Sequence, residues 1–241
     1  MKQFPKTEIY TFFSILIGIA GLAMQSWLFS TADNHGLLVR GHIAEILSCL
    51  LLAVAAVIGF LSLKNRKSDG VYDLLFPQSP VAGIGSLLAA AGIFYCAFLP
   101  VAMGILATIV RTLGLLAGFA LAMGGAARLQ GKRPNCLMYA AIAVFLIART
   151  LAFCQGWSAQ VQAQLYLFPL LSHLCLLLAA YYRAALAADF KNCKQYFLFR
   201  QLALVCCLMS LAGGDRIFGI SGAVWMATDF CIFEHSGKYA G

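Results

Sequence analysis

A few polar residues stand where the sequence otherwise offers only apolar ones. Arg111 and Arg149 lie inside uncharged stretches, and His42 and Glu45 open another. Gln162, Tyr166, Pro169 and His173 recur at a spacing that sets side chains on one face of a helix. Gln25 sits late in the first apolar stretch, and Trp157 stands just before the segment that holds Gln162. Guanidinium groups pair with carboxylates and phosphates, histidine and glutamate carry protons, and amide and phenol groups orient a bound molecule. These residues therefore sketch a polar, net-positive pocket for a small anionic ligand. Three readings stay open. Arg111 or Arg149 pairs with Glu45 and only specifies packing; the cluster binds or transports a small molecule; or Glu45 or His173 takes part in a proton-coupled step.

No catalytic or metal constellation accompanies them. The sequence has no H-E-x-x-H, no P-loop and no paired-acidic metal motif, and its four histidines are scattered. No metal, cofactor or catalytic residue is expected. The G-x-S-G at residues 219–222 resembles the nucleophile motif of rhomboid proteases over those positions alone. In that family a histidine on a later helix activates the serine, and here only His235 follows. Every lysine falls between or beyond the apolar stretches, which removes the Schiff-base lysine of a retinal protein. The nine cysteines include no C-x-x-C pair and lie mostly inside apolar runs, where thiols act as small hydrophobes. Cys96 and Cys154 could both sit near the outer surface, where a bridge between them is conceivable.

The elements that position these residues are apolar throughout. Of 241 residues 62% are hydrophobic and 11% charged, too few polar groups to cover a water-facing surface. The bilayer is the expected solvent and principal partner, and the chain reads as one integral membrane domain over residues 1–241. The fold class is an all-α polytopic transmembrane helix bundle of about eight helices: 9–29, 42–63, 81–98, 101–127, 136–153, 161–186, 195–211 and 217–233. The last is the shortest, and without it seven cross. The first run is too long for the apolar core of a signal peptide and reads as a retained helix.

The formal net charge of +8 supports the same reading. The basic residues lie between apolar runs, a placement that orients membrane helices and does not suggest nucleic acid. With eight crossings, Lys2, Lys6, Lys64, Arg66, Lys67, Arg128, Lys132, Arg133, Arg183, Lys191, Lys194, Arg200 and Lys238 fall on one side, against Arg40 and Arg216 on the other. The positive-inside rule places that side, and both termini, in the cytoplasm of a cell (plasma) membrane protein. Tyr10, Tyr72, Tyr139, Tyr181, Tyr182 and Tyr196 are expected near the inner interface, and Trp27, Trp157 and Tyr166 near the outer one.

Small residues recur at helical spacing: Ser14, Gly18, Gly21 and Gln25; Gly85, Ala89, Gly92 and Cys96; and Gly104, Thr108, Arg111, Gly118 and Gly125. Such stripes let helix backbones approach closely in lipid. Arg111 shares its stripe with glycines and is therefore expected to face the bundle interior, since a charge at a helix centre costs ~2.5–3.5 kcal/mol on the insertion scale. The C-Q-G-W-S of residues 154–158 and the Y-Y-R-A-A of residues 181–185 resemble uncharacterised multi-pass proteins of Gram-positive anaerobic bacteria, a resemblance confined mainly to the second half that implies no activity.

Overall fold

The computed structural model describes residues 6–31, 38, 42–63, 72–99, 104–157, 166–190, 192–213 and 215–229. Those residues form α1 (Lys6–Ser30), α2 (Ile43–Leu63), the single turn α3 (Tyr72–Leu75), α4 (Pro80–Phe98), α5 (Gly104–Leu129), α6 (Cys136–Trp157), α7 (Leu167–Ala187), α8 (Cys193–Met209) and α9 (Arg216–Thr228). Among the described residues there is no strand. Among the described residues, seven helices are long and apolar enough to cross a membrane: α1, α2, α4, α5, α6, α7 and α8. Each of the eight expected runs appears as a helix, and α3 is an addition within the linker. A short helix there was illegible because one turn leaves no periodic pattern.

Local chemistry sets the ends. Ser79 caps α4 by accepting a hydrogen bond from the Ala82 amide, and Pro80 occupies the first turn, where its missing N–H costs nothing. Beyond α5 the chain reverses through Gly131, whose φ of 66° is a left-handed conformation open to glycine. His42 caps α2: its Nδ1 accepts from the Ala44 amide at 3.2 Å.

The helices alternate in direction. The face where α1 begins, here the N-terminal face, also carries the ends of α2, α5 and α7 and the starts of α4, α6 and α8. Leu129 of α5 lies over Gly83 of α4, and Ala97 lies over Gly114 at the opposite face. Centrally, α8 packs against α1, α2, α7 and α9, while α6 lies between α5 and α7, and α4 joins α5 to α9. Large apolar side chains such as Phe60, Leu88, Ile105 and Leu137 point outward, as they must where lipid tails are the solvent.

The small-residue stripes sit at these crossings. A Cβ on Gly18 or Gly21 would strike Leu208 or Met209 of α8. On α4, a Cβ at Gly85 would lie 2.0 Å from the Thr228 hydroxyl and one at Gly92 1.9 Å from that of Ser221, both on α9. The two glycines and their two partners repeat every second turn, so α9 lies in a groove that only glycine leaves open.

α9 is shorter than the expected 217–233 run. It ends at Thr228 because Asp229 is held by arginines, and residues 230–233 lie outside the described residues. At 1.5 Å per residue it covers about 20 Å, less than the ~30 Å hydrocarbon core. Part of the shortfall against the bilayer lies at its start. After α8 the chain tightens into a 3-10 turn, Ser210–Ala212, and Asp215 then opens α9 level with Arg149 of α6. Arg149 stands roughly two turns before the end of α6, so this connection is sunk into the opposite half of the bundle. Irregular backbone at such depth survives only where protein or a polar recess surrounds it.

Candidate functional site

Two charged clusters lie at opposite ends of α9. In the first, α6 contributes Arg149, α7 contributes His173, and Asp215 supplies the carboxylate. Arg149 is wholly buried; its Nη2 donates to Asp215 Oδ2 at 2.6 Å. Nε and Nη1 of the same guanidinium have no hydrogen-bond partner among the described residues. His173, also wholly buried, is stacked between the rings of Phe153 and Phe218, with centroids 5.2 and 4.4 Å away. Its Nδ1 lies 2.6 Å from the Pro169 carbonyl oxygen. A carbonyl only accepts, so Nδ1 carries the hydrogen and, in the neutral ring, Nε2 presents a lone pair. Nε2 stands 3.9 Å from Asp215 Oδ2, too far for a hydrogen bond, and has no such partner among the described residues. The Asp215 side chain retains 20% exposure. The cluster thus offers two unused guanidinium nitrogens, one imidazole acceptor and a partly exposed carboxylate.

Locally, this arrangement follows from phase. Phe153 lies one turn beyond Arg149, so the residue that stacks on His173 and the arginine beside it share a face of α6. Asp215 stands at the N-cap of α9, where the helix dipole favours a negative charge. Phe218, in the first turn, covers Arg149 at 4.4 Å from its ring centroid.

The second cluster closes the N-terminal face. Asp229, the C-cap residue of α9, is buried and meets Arg183 of α7 through Nε at 3.1 Å and Nη2 at 3.2 Å. Arg128 of α5 lies 3.8 Å from the same carboxylate, and the Tyr196 hydroxyl donates to it. Arg200 of α8 donates to the Met226 carbonyl at 2.7 Å, satisfying an acceptor in the last turn of α9. The Arg183 guanidinium is walled by the rings of Phe76, Tyr72, Tyr139 and Tyr196, Phe76 being nearest at 3.3 Å.

Of the residues expected to form one pocket, the structure brings together Arg149, His173 and Tyr166, the last through an edge contact with Phe153 at 5.4 Å. Asp215, which falls between the expected runs 195–211 and 217–233, takes the place expected of Glu45. Glu45, His42 and Gln25 belong elsewhere, on α1 and α2, where Trp27 meets His42 edge-on at 5.1 Å and Gln25 is buried. Gln162 and the Trp157 side chain lie outside the described residues.

Arg111 does not face inward. It is exposed, with its guanidinium 4.9 Å from the ring centroid of Phe98. Phe98 is the last residue of α4, so at the level of Arg111 the neighbour that buries Gly114 and Gly118 has run out. The stripe was continuous in sequence, but the groove it faces is not.

The second cluster was missed. Arg128, Arg183 and Arg200 were assigned to the charged borders of the helices, yet all three are buried. Tyr72, Tyr139 and Tyr196, expected at the interface, are buried around them. One sign was available: Arg128 continues the stripe of Gly114, Gly118 and Gly125 at helical spacing. The G-x-S-G serine, Ser221, donates to the Ile217 carbonyl of its own helix at 2.7 Å. Cys96 and Cys154 are both free thiols.

Apolar helices of spanning length around a charge-paired interior define a polytopic α-helical integral membrane protein, in contact with lipid over its outer surface. No protein-family model, curated protein or solved structure matches the chain.

Proposed function

We propose that this is a multi-pass protein of the cell membrane, with both termini in the cytoplasm, that binds or transports a small anionic molecule through the Arg149–His173–Asp215 site. The excess of basic residues toward the N-terminal face supports that orientation. It directs the Arg149 cluster toward the outside. The observation that carries the reading is Arg149 itself: wholly buried, it spends one nitrogen on Asp215 and leaves Nε and Nη1 without a partner among the described residues. A buried donor left unmade costs about 1–3 kcal/mol, and more for a charged group, so a ligand oxygen there is strongly favoured. The His173 lone pair, facing a carboxylate, calls for a donor between them. The favoured ligand is therefore an oxyanion that also bears a hydrogen-bond donor, such as a hydroxy acid, an amino acid or a protonated phosphate.

The test is a melting screen of the purified protein against lactate, glutamate, sulfate and inorganic phosphate. A saturable rise in Tm that disappears in His173→Gln supports the site. No rise with any of them, or rises that His173→Gln and Arg149→Gln leave intact, would end this reading. Reporters fused to each terminus check the orientation.

A second reading is favoured by the short Arg149–Asp215 contact: the pair serves to fix α9, and the protein is a non-catalytic sensor or assembly component. In that case replacing both partners with apolar residues of similar size leaves a stable protein.

A further inference from the structure

The Arg183 cluster contains donors that its own ion pair does not use. Asp229 engages the Nε–Nη2 edge of the Arg183 guanidinium, which leaves Nη1 outside the pair. Nη1 is buried and has no hydrogen-bond partner among the described residues, and the same is true of the Tyr72 hydroxyl. The two belong to one place, since the Arg183 guanidinium lies 5.1 Å from the centroid of the Tyr72 ring. Burying a cationic N–H and a phenol O–H in one neighbourhood without acceptors is costly, and acceptor oxygens supplied there would remove the penalties.

A partly exposed cation also lies against the Tyr72 ring. Arg133, in the α5–α6 turn, keeps a third of its side chain exposed and pairs with the exposed Asp189 at 2.8 Å. Its guanidinium lies 5.3 Å from the centroid of the same Tyr72 ring. Tyr72 thus has both a partly exposed guanidinium and a buried one against its ring. Arg133 also donates to the Ala187 carbonyl at 3.1 Å, which holds it beside the ring, so the fields of both guanidiniums fall on Tyr72. Arg128, reaching the same Asp229 carboxylate at 3.8 Å, adds to the positive field there.

We infer that the N-terminal face holds an oxyanion-binding site, formed by Arg183 Nη1 and the Tyr72 hydroxyl in the field of Arg133. The ligand chemistry is a phosphate-type group, dissolved or carried on a lipid headgroup. Small size is imposed by the rings of Phe76, Tyr139 and Tyr196 around Arg183. This site shares no residue with the Arg149 cluster, and neither proposal depends on the other.

The experiment uses the full chain in detergent and in lipid nanodiscs. In detergent, Tm is followed while inorganic phosphate is titrated at constant ionic strength. In nanodiscs, Tm in phosphatidic acid is compared with Tm in phosphatidylcholine. Tyr72→Phe keeps the ring and removes only the hydroxyl, so it should fold, and it should weaken the effect about tenfold or more. Should Tyr72→Phe fail to fold, Arg133→Gln at the exposed rim replaces it and should weaken the effect severalfold. Stabilisation by dissolved phosphate that depends on Tyr72 or Arg133 identifies a soluble ligand; stabilisation confined to phosphatidic acid identifies a lipid headgroup. Each titration is repeated in the His173→Gln background, which removes any stabilisation through the Arg149 cluster, and the part that depends on Tyr72 should persist there. Stabilisation in neither medium, or stabilisation indifferent to both substitutions, overturns the inference and leaves the two donors to water.

Discussion

Asp229 sits at the C-cap of α9, where the helix dipole opposes a negative charge, and Arg183 meets it with two nitrogens at 3.1 and 3.2 Å. The pairing explains how a carboxylate is held at the wrong end of a helix. It also fixes where the helix stops. At the other end Asp215 stands at the N-cap and is met by Arg149. A helix too short to span the bilayer is thus clamped at both ends by arginines from α6 and α7.

Asp229→Asn is expected to destabilise the protein by ~3–5 kcal/mol, because it keeps the shape and leaves Arg183 buried without its counter-charge. Adding Arg183→Gln should recover part of that loss, since the double variant no longer buries the charge at Arg183. Denaturation in detergent of the parent, both single variants and the double variant gives the coupling directly. Strict additivity of the single losses would show that the contact contributes nothing.

Gly92→Ala should cost about 1–3 kcal/mol by overpacking, since its new Cβ meets the Ser221 hydroxyl at 1.9 Å. Ser221→Gly in the same chain removes the obstructing atom and should return much of the stability. The same measurement decides it. An unaffected Gly92→Ala protein would mean that α4 and α9 are not in close contact.

Arg111→Leu is expected to change folding stability by no more than about 0.5 kcal/mol, as for other exposed positions, whereas Arg149→Leu strands Asp215 and should cost several times more. Paired melting curves of the two variants separate the exposed arginine from the buried one. Equal losses would contradict their placement.

The bundle was legible because lipid leaves little choice: long apolar runs must be helices, and glycines at helical spacing mark where helices meet. Gly85 and Gly92 did so correctly. The site was half legible. Arg149 and His173 stood out as charge and polarity inside apolar runs, and the structure brings them together. Their carboxylate did not stand out, because Asp215 lies in a Gly-Gly-Asp-Arg turn that reads as an ordinary loop and whose depth depends on how far α8 extends. Arg183 and Arg200 failed for a related reason. Within a turn or two of a helix border, a sequence cannot distinguish an arginine that reaches for water from one folded back onto a buried aspartate. Periodicity gives the face of a helix, but not where the neighbouring helix ends, and that was decisive for Arg111.

The depth of the α8–α9 connection can be measured. In the proposed orientation, Asp215 opens α9 roughly two turns below the outer end of α6, with its side chain 20% exposed. In a variant lacking native cysteines, Asp215→Cys should react with a small membrane-impermeant thiol reagent added from outside, several times more slowly than a cysteine at the end of α6. A bulky maleimide should react more slowly still, because the recess restricts it. Replacing Asp215 also leaves Arg149 without its carboxylate, so the label should be read in Asp215→Cys combined with Arg149→Gln as well. Labelling only from the cytoplasmic side would reverse the orientation and with it the outward-facing site. Labelling as fast as at the end of α6 would place the turn at the surface, and the Arg149 cluster would then be no recess.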